Sequence, residues 1–318
     1  MKTVAMIGAG AWGTAVSTVL AGNGHRVNLW CRETTVVDAI QKTKENSTFL
    51  PGVQLSENII PTDSLETALH NVEAVFFAVP VQYSRTVLES CKPFFNKDQI
   101  WVFLNKGIEQ ETLLLPTQIA QQVLDADMQT AVVVGPSFAK DLAQKQMTGV
   151  MCAVDNEEIY KTISDLLNNK YFQMHETQDI DGVQLCAALK NVIAFGVGML
   201  EGQGYQGNAK IYFVMKALQE MEYIVSSCGG IKESVYSFAG IGDVMLTALG
   251  KESRNLKVGR KLGAGQSLTE ILNEMNAVPE GVNTARSLEL LLNQQNIKTI
   301  IFKKVIEFLQ NEKRFSFE

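Results

Sequence analysis

Lys190 lies among small apolar residues, an unusual setting for a lysine and one suited to moving a proton. The spacing predicts a helix from Asp181 to about Ala194, with Val183, Ala187 and Ala194 on the face that carries the lysine. Periodicity alone leaves two readings open: a stem that snorkels to water at a domain edge, or a general acid/base. A free lysine, at about 10.4, is a reluctant donor near neutral pH. Lowering that value by about three units means roughly 4 kcal/mol of destabilisation of the ammonium, which burial beside Lys106 and Arg254 would supply.

A second constellation follows. In Ala239-Gly240-Ile241-Gly242-Asp243-Val244-Met245-Leu246-Thr247, Asp243 stands near an expected helix start with Thr247 one turn later on the same face. Taken alone, Asp243 reads as a helix N-cap. Ser253-Arg254-Asn255 then offers a hydroxyl, a planar fork of donors and an amide, an inventory that clamps a phosphate, and together these groups favour a functional Asp243 over a cap. His25, His70 and His175 are scattered and read as surface or satisfied histidines. The cysteines at 31, 91, 152, 186 and 228 are odd in number, far apart and without CxxC spacing. That argues against a disulfide framework or a zinc site and for a reducing cytoplasm.

These groups need a frame, and the N-terminus announces one. Gly8-Ala9-Gly10-Ala11-Trp12-Gly13 directly follows the apolar run Thr3 to Ile7 and precedes an expected helix, Trp12 to Gly22, and a strand, Val27 to Trp30. Strand, glycine turn, helix and strand form a dinucleotide-binding βαβ unit. Gly8 allows the tight turn, Gly10 lets backbone N–H groups approach a pyrophosphate, and Gly13 lets the helix pack on the sheet. The helix then aims its positive end at the phosphates. Lys2 and the nearly uncharged stretch to Gly22 also resemble an export signal, but glycines break its apolar part and cleavage near Ala21 would delete the turn.

Further β-rich runs at Ala74 to Val79, Ile100 to Leu104 and Ala131 to Val134 alternate with helical stretches, and Met147 to Val154 and Tyr171 to His175 would complete the sheet. The fold class expected is α/β: an N-terminal Rossmann-like, doubly wound, mainly parallel sheet over 1–178, then an all-α substrate-binding and catalytic domain over 179–318. Ligands of open parallel sheets sit beyond the strands' carboxyl ends. This singles out Val79-Pro80, Asn105-Lys106-Gly107 and Gly135-Pro136-Ser137-Phe138-Ala139. With 318 residues, 46% of them hydrophobic, the chain can bury two moderate cores. A net charge of -6 leaves no basic face for nucleic acid. No run is expected to reach the ~18 to 20 apolar residues of a membrane span.

The motifs together, Gly8 to Gly13 with its tryptophan, Asn105-Lys106-Gly107, Gly135-Pro136-Ser137-Phe138-Ala139, Leu189-Lys190-Asn191, Gly240-Ile241-Gly242-Asp243 and Ser253-Arg254-Asn255, occur in an order that resembles the bacterial-type NAD(P)-dependent sn-glycerol-3-phosphate dehydrogenases over essentially the whole chain. That resemblance implies hydride transfer between dihydroxyacetone phosphate and glycerol 3-phosphate, with NADPH or NADH as cofactor and phospholipid synthesis as the destination. It makes Lys190 the catalytic proton donor or acceptor. It places Lys106, Gly135, Ser137, Lys190, Asp243, Ser253, Arg254 and Asn255 around the substrate. Gly8, Gly10, Ala11, Trp12, Gly13, Arg32, Phe49, Lys106, Ala139, Arg254, Val278 and Glu280 fall to the dinucleotide. Departures from the family pattern are Ala11 for serine, Phe49 for tyrosine, Ala187 for glycine, and Lys210 and Lys216 for arginines. None removes a group that must move a proton.

At the end of the second strand Cys31-Arg32 stands where an acidic residue would bind the ribose of NAD, which tilts toward NADP or dual use, while Glu33 could blunt the preference. Rival readings are a two-domain dehydrogenase of the β-hydroxyacid or ketopantoate reductase type, and a non-catalytic NAD(P)H-sensing module. The sequence leaves the oligomeric state open, with a homodimer one option.

Overall fold

The computed structural model describes residues 1–250, 253–275 and 279–311. They form two compact units: residues 1–105 with 116–180, and residues 106–115 with the chain from 181 onward.

The first unit is built on eight strands: β1 (Thr3–Ile7), β2 (Arg26–Trp30), β3 (Ile59–Thr62), β4 (Ala74–Phe77), β5 (Ile100–Phe103), β6 (Thr130–Val134), β7 (Thr148–Ala153) and β8 (Phe172–Thr177). Their order is β3-β2-β1-β4-β5-β6-β7-β8, parallel except where β7 runs against β6. Strands β4, β5 and β6 are buried at every position, as expected where both faces of a parallel sheet are covered. Register aligns Ile7 with Trp30 on one side and with Phe77 on the other, so the turn after β1 opens where the strand order reverses. That switch point is where such sheets hold ligands.

Strand β3 was not among the expected runs. Its Pro61 lacks an N–H and lowers its strand signal, but β3 is an edge strand and so tolerates the missing donor.

The second unit is helical. Helix Ile180–Gly202 outruns its expected end near Ala194, and every residue from Gly182 to Leu200 is buried. By length and composition it is apolar enough to cross a membrane, contrary to the expectation that no run would be; its apolar stretch is packed entirely inside the protein. Helix Arg254–Gly263 lies against it backbone to backbone. A Cβ on Gly198 would come within 2.2 Å of the Leu256 carbonyl oxygen, and one on Gly259 within 2.1 Å of the Phe195 oxygen. Gly202 and Gly263 repeat the contact one turn on, at 2.2 Å from the Arg260 and Met199 oxygens. The second unit also takes Lys106–Leu115, a segment that chain order puts inside 1–178. Ser287 Oγ fastens it by donating to the Ile108 carbonyl at 2.9 Å.

The glycine seam yields a direct test. Gly259→Ala should cost about 1–3 kcal/mol in urea unfolding, because neither helix backbone can recede without disturbing a fully buried partner. An unchanged midpoint would show that the two helices part freely.

Candidate active site

Asp243 is the centre of the second unit's polar core. A π-helical stretch, Phe238–Gly242, runs straight into helix Asp243–Leu249, with Gly240 pressed so close to Val235 that a Cβ would sit 2.1 Å from its carbonyl oxygen. Asp243 therefore has helical backbone angles, and the N-cap place of its helix falls to Gly242. The N-cap reading gives way to a charge-bearing one. Its Oδ1 accepts from Lys190 Nζ at 3.0 Å and from Thr247 Oγ1 at 3.0 Å, and its Oδ2 accepts from Lys106 Nζ at 2.7 Å. Lys190 Nζ also donates to Thr247 Oγ1 at 2.8 Å.

Lys190 does not snorkel: it is only 7% exposed and its ammonium is enclosed by these partners. Burial pushes its pKa down to about 8; Asp243 opposes that shift and Lys106 reinforces it. Burial alone would raise the Asp243 carboxyl, but the charges of Lys106 and Lys190 and their hydrogen bonds outweigh it and hold the group below the ordinary carboxylate range. Glu280, the first residue of helix Glu280–Gln294, is raised by burial against the pull of Arg254, Lys190 and Lys106.

Ser253-Arg254-Asn255 divides its work. Ser253 caps helix Arg254–Gly263, its Oγ accepting from the Leu256 N–H at 3.2 Å. Arg254 is exposed at the helix start. Asn255 is a fastener: its Nδ2 donates to Asn191 Oδ1 at 2.9 Å and its Oδ1 accepts from the Gly281 N–H at 3.0 Å, which orders the turn carrying Glu280. The sequence reading missed the part played by Asn191; its signal was its place one residue after Lys190, on the same helix. Of the other predicted residues, Val278 lies outside those described.

In the first unit the glycine turn has the expected build. Gly8 has φ +113° and its N–H donates to the Trp30 carbonyl at 3.2 Å. A Cβ on Gly13 would fall 2.0 Å from the Gly8 oxygen, whereas one on Gly10 would meet nothing within 4 Å. Gly10 precedes helix Ala11–Gly22, and the buried Trp12 Nε1 has no partner. An open turn at a helix N-terminus, with an unused buried donor two residues on, fits a dinucleotide. Beyond β2, Arg32 Nη2 and Nε both donate to Glu33 Oε1, at 2.6 and 2.9 Å. Phe49 is 40% exposed. Beyond β6, Gly135 is packed on β7, Ser137 Oγ donates to the Gly135 carbonyl at 2.9 Å, and Ala139 starts helix Ala139–Ala143.

Two family models match the chain: NAD-dependent glycerol-3-phosphate dehydrogenase N-terminus over residues 3–160 and the corresponding C-terminus over residues 179–316. The chain belongs to the NAD-dependent glycerol-3-phosphate dehydrogenase family. A family relative, the glycerol-3-phosphate dehydrogenase [NAD(P)+] of Bacillus velezensis, is 36% identical over 98% of this chain and 91% of its own length. The crystal structure of the glycerol-3-phosphate dehydrogenase from Coxiella burnetii matches with a TM-score of 0.93 and 28% identity, covering 98% of this chain and 96% of that one. A ketopantoate reductase family structure from Ralstonia eutropha shares the fold alone, with a TM-score of 0.64 and 13% identity over 98% of both chains. Among the described residues no group of His, Cys, Asp or Glu could hold a metal.

Asp243→Asn tests the polar core. Removing the carboxylate takes the shared counter-charge from the buried Lys190 and the part-buried Lys106, and the expected loss is about 3 kcal/mol in denaturant unfolding. Wild-type stability in that variant would mean that the lysines find other partners.

Proposed function

We propose that this protein interconverts dihydroxyacetone phosphate and sn-glycerol 3-phosphate with NAD(P)H, with the first unit carrying the glycine turn for the dinucleotide and the second carrying the amine that moves the proton. The observation that carries the reading is the buried Lys190 amine, lowered to about 8 and held on Asp243. When bound, the nicotinamide supplies or takes the hydride at the central carbon. In reduction Lys190 gives its proton to the oxygen of that carbon as negative charge develops there; in oxidation it takes the proton back. Asp243 and Thr247 aim the amine, and Lys106 keeps it from holding its proton too tightly.

The remaining roles follow from residue chemistry. Arg254 offers its fork to the phosphate, and Lys106, Gly135, Ser137, Ser253 and Asn255 complete the substrate's surroundings. Gly8, Gly10, Ala11, Trp12, Gly13, Arg32, Phe49, Lys106, Ala139, Arg254 and Glu280, with Val278, serve the dinucleotide. The product supplies phospholipid synthesis in the cytoplasm, a reading supported by five free cysteines, four of them buried. The proposed assembly is a homodimer, supported by the exposed Ile211, Tyr212 and Met215 on helix Gly207–Ser227, apolar surface of the kind that association covers.

Steady-state kinetics with dihydroxyacetone phosphate against NADH and NADPH test the activity; turnover of a hydroxyacid in its place would overturn it. The pH dependence has a definite sign. Reduction needs the ammonium, so its kcat/KM should fall as pH rises through about 8, and oxidation needs the free amine, so its kcat/KM should rise through the same range. Lys190→Ala should lower kcat by about 10² to 10⁴ and leave the NADH dissociation constant in place. A variant keeping most of its activity would remove Lys190 from the mechanism. Because Glu33 occupies the Arg32 guanidinium, Glu33→Gln should tighten NADPH relative to NADH by about two- to fivefold in a fluorescence titration. An unmoved ratio would show that the pair has no part in cofactor choice.

A further inference from the structure

Asn46 is fully buried and has no role in the site described above. Its Nδ2 donates to the Ala9 carbonyl at 2.8 Å and to Thr14 Oγ1 at 2.8 Å, and its Oδ1 accepts from the Phe49 N–H at 3.3 Å. Both amide hydrogens and the oxygen are thus in use. The three partners come from separate segments: the glycine turn, the first turn of helix Ala11–Gly22, and the loop that carries Phe49. One side chain ties all three together.

The bond to Ala9 matters because of peptide geometry. The Ala9 carbonyl and the Gly10 N–H belong to one planar trans unit and point in opposite directions. Asn46 holds the carbonyl on the buried side, with Thr14 Oγ1 adding a longer bond at 3.3 Å. The Gly10 N–H is thereby turned the other way, and a Cβ on Gly10 would meet nothing within 4 Å.

Asn46 is itself braced. Leu55 N–H donates to the Lys44 carbonyl at 2.7 Å, Gly52 N–H to Glu45 Oε1 at 2.7 Å and Leu50 N–H to the Asn46 carbonyl at 2.8 Å, closing the loop on itself. Leu50 and Leu55 anchor that loop in the core of the sheet domain.

We propose that Asn46 is a positioning residue for the dinucleotide: by capturing the Ala9 carbonyl it presents the Gly10 N–H to the pyrophosphate and sets the Phe49 loop beside the turn. This rests on the reading that the first unit binds NAD(P)H. It concerns the phosphates and not the nicotinamide, so it predicts which ligands will feel its loss.

The test is titration calorimetry of the full-length protein with NADH and with ADP-ribose, which carries the pyrophosphate without the nicotinamide. Asn46→Asp keeps the size of the side chain but turns a donor into a carboxylate facing two oxygens. Both dissociation constants should rise at least about tenfold and by a similar factor. The kcat at saturating NADH and the KM for dihydroxyacetone phosphate should stay within about twofold, since neither the amine nor the substrate site is touched.

A dissociation constant for ADP-ribose within about twofold of wild type, whether or not the melting temperature falls, assigns Asn46 a purely structural part and overturns the proposal. So does a loss confined to NADH. Should Asn46→Asp not fold, Thr14→Val removes the hydroxyl that accepts from Asn46 while keeping the side chain's shape. It should weaken both ligands at least about threefold with Thr14→Ser holding near wild type, and a Thr14→Val protein of unchanged affinity overturns the proposal. Wild-type protein that binds neither ligand would instead sink the dinucleotide reading, an outcome distinct from wild-type binding that survives in Asn46→Asp.

Discussion

One buried carboxylate reconciles two ammonium groups that the second unit would otherwise repel. Asp243 is 1% exposed and touches both Lys190 and Lys106, so each of its oxygens answers one cation. A lysine in a low-dielectric interior tends to shed its proton, and two lysines close together do so more readily. The carboxylate limits that tendency without abolishing it. Lys190 is left near 8, where the amine and the ammonium are both accessible at physiological pH. The acid/base role proposed for Lys190 in a reversible reaction calls for such a balance.

The balance depends on position, and position here is set by backbone contact. The glycine seam lets helix Arg254–Gly263 approach helix Ile180–Gly202 until carbonyl oxygens of each lie where side chains of the other would start. That closeness brings Asn255 to Asn191, the neighbour of Lys190, and Asn255 in turn grips Gly281 beside Glu280. Three helices are therefore referenced to one another through a single amide. The π-helical stretch before Asp243 performs the corresponding task for the carboxylate, since such bulges change the direction in which the following residues point.

The first unit presents backbone where the second presents charge. Its glycine turn contributes N–H groups and a helix N-terminus, which serve any pyrophosphate. What is particular to this chain lies around the turn: Asn46 beneath it and the Arg32–Glu33 pair at the end of β2. The former is the proposed brace for the phosphates, and in the latter the guanidinium is already held by a neighbouring carboxylate.

Much of this was legible in the residues. The glycine turn, the alternation of apolar runs with helices, the lysine among small residues and the Gly-Ile-Gly-Asp and Ser-Arg-Asn groups are local patterns, and local patterns survive in a linear text. Three things were not legible there. Sequence neighbours offered Asp243 as a cap or a substrate contact but not as an ion-pair centre, because its charge partners, Lys106 and Lys190, are 137 and 53 residues away. Ser253 also caps a helix and Asn255 also ties Asn191 to Gly281, bonds that no neighbour in sequence announces. The helix expected to end near Ala194 runs to Gly202, and it is buried on all sides from Gly182 to Leu200. Chain chemistry determined which groups were available. Tertiary structure decided which of them met, because a pKa and a hydrogen bond depend on distance and desolvation, and neither is a property of sequence neighbours.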